Sequence, residues 1–127
     1  MLTKSTIVTM LPVRDADRAG RFYREALGLH ELPAGPEGER TFEVGGGAAI
    51  ALRELPDARP SENTALSFEV GDISAEVGEL EQRGVRFLDY DTENLRTVDH
   101  VATMGADKAA WFQDPEGNYL CLHQTVR

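Results

Sequence analysis

Ala109-Ala110-Trp111-Phe112-Gln113-Asp114-Pro115-Glu116-Gly117-Asn118-Tyr119-Leu120-Cys121-Leu122-His123-Gln124 decides the fold of this chain. Two apolar-rich runs flank Asp114-Pro115-Glu116-Gly117-Asn118, whose residue types suit a tight reversal. Proline presets φ early in a turn, glycine supplies positive φ, and Asp and Asn bond the local backbone. The flanking runs, rich in Trp, Phe, Tyr, Leu and Cys, therefore read as paired antiparallel strands. Side chains alternate between faces along a strand. Ala109 and Trp111 then share one face of the first strand, and Tyr119, Cys121 and His123 share one face of the second. That hairpin is where a site is expected.

Outward from the hairpin, size and charge limit the possibilities. The 127 residues fit one domain, or two very small modules fused. A hydrophobic share of 41% and a charged share of 28% are those of an ordinary globule. The net charge of −9 leaves no basic stripe to neutralise phosphates, so a nucleic-acid partner is not expected. That charge serves solubility and weakly favours neutral or cationic ligands. The single cysteine excludes an intrachain disulfide and a multi-cysteine metal knot. No signal-peptide pattern or membrane-spanning run is present, which points to a soluble cytoplasmic protein with no membrane partner.

In chain order, Thr6 to Val13 reads as a strand, with Asp15 as the cap of a helix from Ala16 to Leu27. Gly28 sits at the expected left-handed helix end. A short strand from Leu29 to Leu32 and a loop from Pro33 to Gly38 follow. Arg40 to Val44 and Ala48 to Arg53 form a hairpin around Gly45-Gly46-Gly47. No helix follows these glycines, so they do not make a phosphate loop. Residues 55–63, with Pro56 and Pro60, connect this half to a second with the same plan. Thr64 to Val70 is a strand, Asp72 a cap, Ile73 to Arg83 a helix closed by Gly84, and Val85 to Tyr90 a strand. Asp72 follows Asp15 by 57 positions and Gly84 follows Gly28 by 56, which indicates duplication. Asp91 to Lys108 is a polar insert, either a binding loop or flexible surface. The class is α+β, as two modules over about 1–54 and 64–127. Neither four-stranded sheet covers its second face alone, so the modules join or pair with another chain.

With these motifs assembled, the chain resembles the vicinal oxygen chelate superfamily, which includes glyoxalase I, extradiol dioxygenases, fosfomycin-resistance enzymes and bleomycin-resistance proteins. The resemblance rests on Val13-Arg14-Asp15-Ala16-Asp17-Arg18-Ala19, on Phe22-Tyr23-Arg24-Glu25-Ala26-Leu27-Gly28-Leu29, and on Val70-Gly71-Asp72-Ile73 with Arg83-Gly84-Val85. Phe112-Gln113-Asp114-Pro115-Glu116-Gly117-Asn118 completes it. It implies tandem βαβββ modules whose mixed sheets curl into a cup, in one domain and usually within a homodimer. It also implies metal-ligand positions at Val8, Ala65 and Cys121, where the metal enzymes of the superfamily carry His, His and Glu. Two apolar residues and a thiol cannot supply the roughly three ligands of a catalytic divalent site. Neither a metal nor another cofactor is expected.

The implied cup wall takes Val8 and Met10 from the first strand, and Ala65 and Ser67 from the fifth. Trp111 comes from the seventh, and Tyr119, Cys121 and His123 from the eighth. Phe42, Ile50 and Leu52 are candidates from the third and fourth strands, where a one-residue slip reverses the assignment. Tyr90 at the loop entrance, with His100 and Met104 in the insert, completes the set of candidate ligand-binding residues. Such a wall suits a flat apolar or aromatic ligand. Plainer roles stand beside these. Trp111 can be core, Cys121 a buried small hydrophobe, His100 an exposed spacer and His30 a helix-terminus cation. The leading expectation is a metal-free protein that sequesters a small molecule, as the drug-binding resistance branch does. The alternative is a metal-independent isomerase, epimerase or lyase using His100, His123, Cys121 or Glu69, and a metal-dependent lyase or dioxygenase ranks below it. No catalytic residue is assigned.

Overall fold

Both helix starts are made by a carboxylate, as their sequences predict. In the computed structural model, which describes residues 1–125, Asp15 accepts a hydrogen bond from Arg18 N (3.0 Å) and Asp72 one from Ala75 N (3.2 Å). The chain divides into two compact units, Met1–Pro60 and Ser61–Arg127. No described helix is long and apolar enough to cross a membrane.

The first unit runs β1 (Val8–Val13), α1 (Ala16–Arg21), β2 (His30–Leu32), β3 (Arg40–Glu43) and β4 (Ala49–Glu54). The strands form one sheet in the order β1-β4-β3-β2, with β1 parallel to β4 and the other pairs antiparallel. The helix predicted to reach Leu27 stops its α-turns at Arg21 and continues as a wider π-turn over Phe22–Ala26. Adjacent residues on a regular helix diverge; here Phe22 and Tyr23 pack edge-on with ring centroids 5.5 Å apart. Tyr23 is fully buried against Phe42 (6.1 Å), with Leu11, Val13, Ala19, Ile50 and Leu52 around them.

Arg40 is the polar clamp of this unit. Its Nε and Nη2 each donate to Glu31 at 2.8 Å, and Nη1 donates to the Ala16 and Asp17 carbonyls at 3.3 Å. The hydrogen bond to Arg40 leads in holding the Glu31 carboxyl below its usual range. The pair therefore supports the fold above pH 4.5, the ordinary glutamate value, and that support is lost as pH falls below it. Gly20 is what lets the guanidinium lie on the helix, because a Cβ there would collide with it. Gly20→Ala gains about 1 kcal/mol of helix propensity. It disturbs bonds worth roughly 1.5–3 kcal/mol each. Denaturant unfolding should show a net loss of about 1–2 kcal/mol; an unchanged midpoint would mean that Arg40 swings aside freely.

The second unit runs β5 (Thr64–Glu69), α2 (Ile73–Gln82), β6 (Thr97–Val98), β7 (Val101–Met104), β8 (Asp107–Gln113) and β9 (Tyr119–Thr125). Its sheet order is β5-β9-β8-β7-β6, and β5 lies parallel to β9. α2 buries Ile73, Val77 and Leu80, and the core continues through Val85, Phe87, Ala110, Phe112, Leu120 and Leu122. Two expectations are corrected. Val85 to Tyr90 is not a strand: its backbone meets β8 through the Phe87–Phe112 bridge and a bond from Leu88 N to Trp111 O (2.8 Å), without a continuous ladder. β7 already pairs with Asp107 to Ala109, leaving that segment only the far end of β8. The supposed loop from Asp91 to Lys108 contains the β6–β7 hairpin, whose corner residues Asp99 and His100 have φ of 51° and 71°.

Candidate functional site

Turn chemistry positions the second unit's half-buried aromatic face. The buried Asp114 accepts from Glu116 N and Asn118 N at 2.9 Å through Oδ1, and from Asn118 Nδ2 at 3.0 Å through Oδ2. Gly117, at φ 88°, closes the reversal by donating to the Asp114 carbonyl (3.0 Å). This fixes the β8–β9 register: Trp111 opposite Cys121, Gln113 opposite Tyr119, and Ala109 opposite His123. Across β9, Ser67 pairs with Cys121 and Glu69 with His123. Trp111, Tyr119, Cys121, His123, Ser67 and Glu69 therefore share the face directed away from α2, and the β7 register adds Met104.

Trp111 forms the centre of this face. Tyr90 meets it edge-on, with centroids 5.6 Å apart and planes at 84°. Burial raises the Tyr90 phenol above its ordinary value, and the neighbouring Tyr119 pushes the same way. Tyr90 thus keeps its hydroxyl proton while its ring packs against the indole. Burial also pushes the Cys121 thiol up, against hydrogen bonds from Ser67 and the Ala110 backbone. Its Sγ donates to the Leu122 carbonyl (3.2 Å). Protonated and buried, this thiol is a poor nucleophile and a poor metal ligand. His123 Nδ1 lies 3.3 Å from Thr125 Oγ1 and Nε2 lies 3.9 Å from Asp107.

The remaining candidates are placed differently. Val8 and Met10 lie on the face of the first sheet away from α1, about half exposed (50% and 48%). Phe42, Ile50 and Leu52, expected on that same face, are corrected to the opposite one. Phe42 pairs with Ile50, and Leu52 with both Arg40 and Leu11, so all share the parity of Leu11 and Val13 in the core beneath α1. Ala65 sits half-buried at a bulge where the β5–β9 register shifts. His100 is corrected as well. It stacks on Phe87 (6.0 Å, 28°), whose ring contacts Phe112 in the core beneath α2, the side of the sheet away from Trp111. His100 is therefore not gathered with Cys121, His123 and Glu69. Sequence reasoning missed Gln113 and Asp107 on the Trp111 face, although alternation from Trp111 reaches both.

Val8 and Ala65 bring no donor atom to an ion. Among the described residues, no group of three His, Cys, Asp or Glu is placed to hold a metal. Two clefts lie elsewhere. One of about 350 Å³ in the first unit is lined by Asp17, Glu37, Arg40, Arg53 and Glu54, and one of about 450 Å³ beside α2 by Glu81, Arg86, Phe87 and His100.

With this geometry established, comparison with known proteins is informative. No curated protein matches the chain. Among solved structures, TnmS3, an antibiotic binding protein from Streptomyces sp. CB03234, superposes with a TM-score of 0.76 at 24% identity, covering 99% of each chain. A superfamily member from Sphaerobacter thermophilus DSM 20745 gives 0.77 at 22% identity, over 98% of this chain and 99% of that one. A glyoxalase/bleomycin resistance protein from Streptomyces sp. CB03234 gives 0.69 at 26% identity, over 94% and 100%. The family model described as Glyoxalase/Bleomycin resistance protein/Dioxygenase superfamily matches residues 7–122, nearly the whole sequence. The chain belongs to that superfamily.

Proposed function

We propose that this protein binds and sequesters a small, flat, largely apolar or aromatic molecule, neutral or cationic, without a metal. The observation that carries the reading is the Trp111 face: an indole packed edge-on by Tyr90, with Tyr119 on the same face and a protonated thiol opposite the indole. Stacking on such a ring contributes about 0.5–1.5 kcal/mol beyond the area buried. The phenols and Ser67 orient polar atoms at the edge of the ligand. The antibiotic-binding description of TnmS3 is consistent with this use of the fold. In this reading the two modules serve as one domain, in a cytoplasmic homodimer.

Trp111 is the only tryptophan, so selectively excited tryptophan fluorescence reports on the site alone. Titration with planar aromatic natural products should quench it saturably. Trp111→Ala should weaken the best binder about tenfold, equivalent to ~1.4 kcal/mol. Failure of every compound to bind saturably to the folded protein would end the proposal.

A further inference from the structure

His100 occupies the corner of the β6–β7 hairpin with a carboxylate at each ring nitrogen. Nδ1 is 2.8 Å from Asp89 Oδ1, and Nε2 is 3.3 Å from Glu81 Oε2 on α2. A neutral imidazole donates from one nitrogen and presents a lone pair at the other. Only the imidazolium satisfies both carboxylates. The corner itself is a left-handed pair of non-glycine residues, a conformation that surrounding contacts must hold.

The contacts continue beyond the histidine. Asp89 Oδ1 also accepts from the Thr97 hydroxyl (3.2 Å). That hydroxyl accepts from Tyr90 N (2.9 Å), and Thr97 N donates back to the Tyr90 carbonyl (2.9 Å). Tyr90 then places its ring against Trp111. An unbroken chain thus links α2 through Glu81, His100, Asp89 and Thr97 to the aromatic face on the other side of the sheet.

We propose that His100 is a positioning residue, a proton-dependent clasp that sets Tyr90 against Trp111 and so tunes binding of the aromatic ligand. The inference rests on reading the Trp111 face as the binding site. The charged groups around His100 are Glu81 from α2 and Asp89 from the segment before β6, with Arg86 lining the same cleft; Asp99 precedes it in the turn. The Asp89 hydrogen bond leads in raising the imidazole above 6.5, burial opposes it, and the charges of Asp89 and Glu81 add to it. A raised folded value means that both carboxylate contacts are held below pH 6.5, and that one of the two is released as pH rises through that folded value.

The test uses the full chain and Nile red, an uncharged planar probe. Near-ultraviolet circular dichroism of the ligand-free protein should follow a one-proton step with a midpoint above 6.5, coincident with the His100 titration seen by NMR. Nile red affinity should fall about threefold to tenfold across that step. His100→Gln should flatten both profiles. If that variant does not fold, Glu81→Gln should keep the step and move it to lower pH. Absence of the step in the native chain, or its persistence in His100→Gln, overturns the clasp. Weakened probe binding in Trp111→Ala with a flat native pH profile overturns the clasp alone. Unchanged binding in Trp111→Ala overturns the site reading and the clasp with it.

Discussion

Phe112→Ala is expected to lower the unfolding free energy by about 3–5 kcal/mol, the range for removing a fully buried aromatic ring. Phe112 has no exposed surface, its ring lies 5.3 Å from Phe87, and its backbone bridges β9 on one side and the Phe87 segment on the other. Against a typical total of about 5–15 kcal/mol, such a loss removes much of the margin. Equilibrium denaturation measures it directly. Trp111→Ala, one position away on the opposite face, should cost clearly less because that indole is only half-buried. Equal losses at the two positions would contradict the strand parity on which the site is built.

Asp114→Ala should be the next most damaging change, at about 2–3 kcal/mol. Removing the carboxylate leaves two backbone N–H groups and the Asn118 amide without their acceptor, and buried polar groups left unmet cost roughly 1–3 kcal/mol. Asp114→Asn keeps one oxygen and should fall between alanine and the native residue. Thermal and denaturant midpoints should rank the three in that order. A loss below about 0.5 kcal/mol for alanine, the usual size of a neutral surface change, would mean that water replaces the carboxylate and that the turn does not set the register.

Local chemistry explains which parts of this architecture were legible in the sequence. Asp15, Asp72 and the Asp114–Asn118 reversal were readable because short-range hydrogen bonding to backbone groups dictates those residue types at those places. Period-two alternation then put Trp111, Tyr119, Cys121 and His123 together correctly. The same alternation misplaced Phe42, Ile50 and Leu52. An all-apolar Ala49–Leu52 run has no polar face to mark its phase, so only the pairing with β1 and β3 settles it. The β6–β7 hairpin escaped notice because its corner uses Asp99 and His100 where glycine would have announced the turn. His100 looked like a spacer because its partners, Glu81 and Asp89, are 19 and 11 residues away in sequence.

The parallel pairing of β1 with β4 and of β5 with β9 has a consequence for biosynthesis. Each unit joins its own opening strand to its closing one, Val8 with Ala49 and Ser67 with Cys121, so neither sheet can be completed piecemeal. As the polypeptide leaves the ribosome, the first unit can close early. The second has to wait for β9, with β5 and the apolar side of α2 uncovered meanwhile. Nascent chains stalled short of β9 are thus the species most in need of a chaperone.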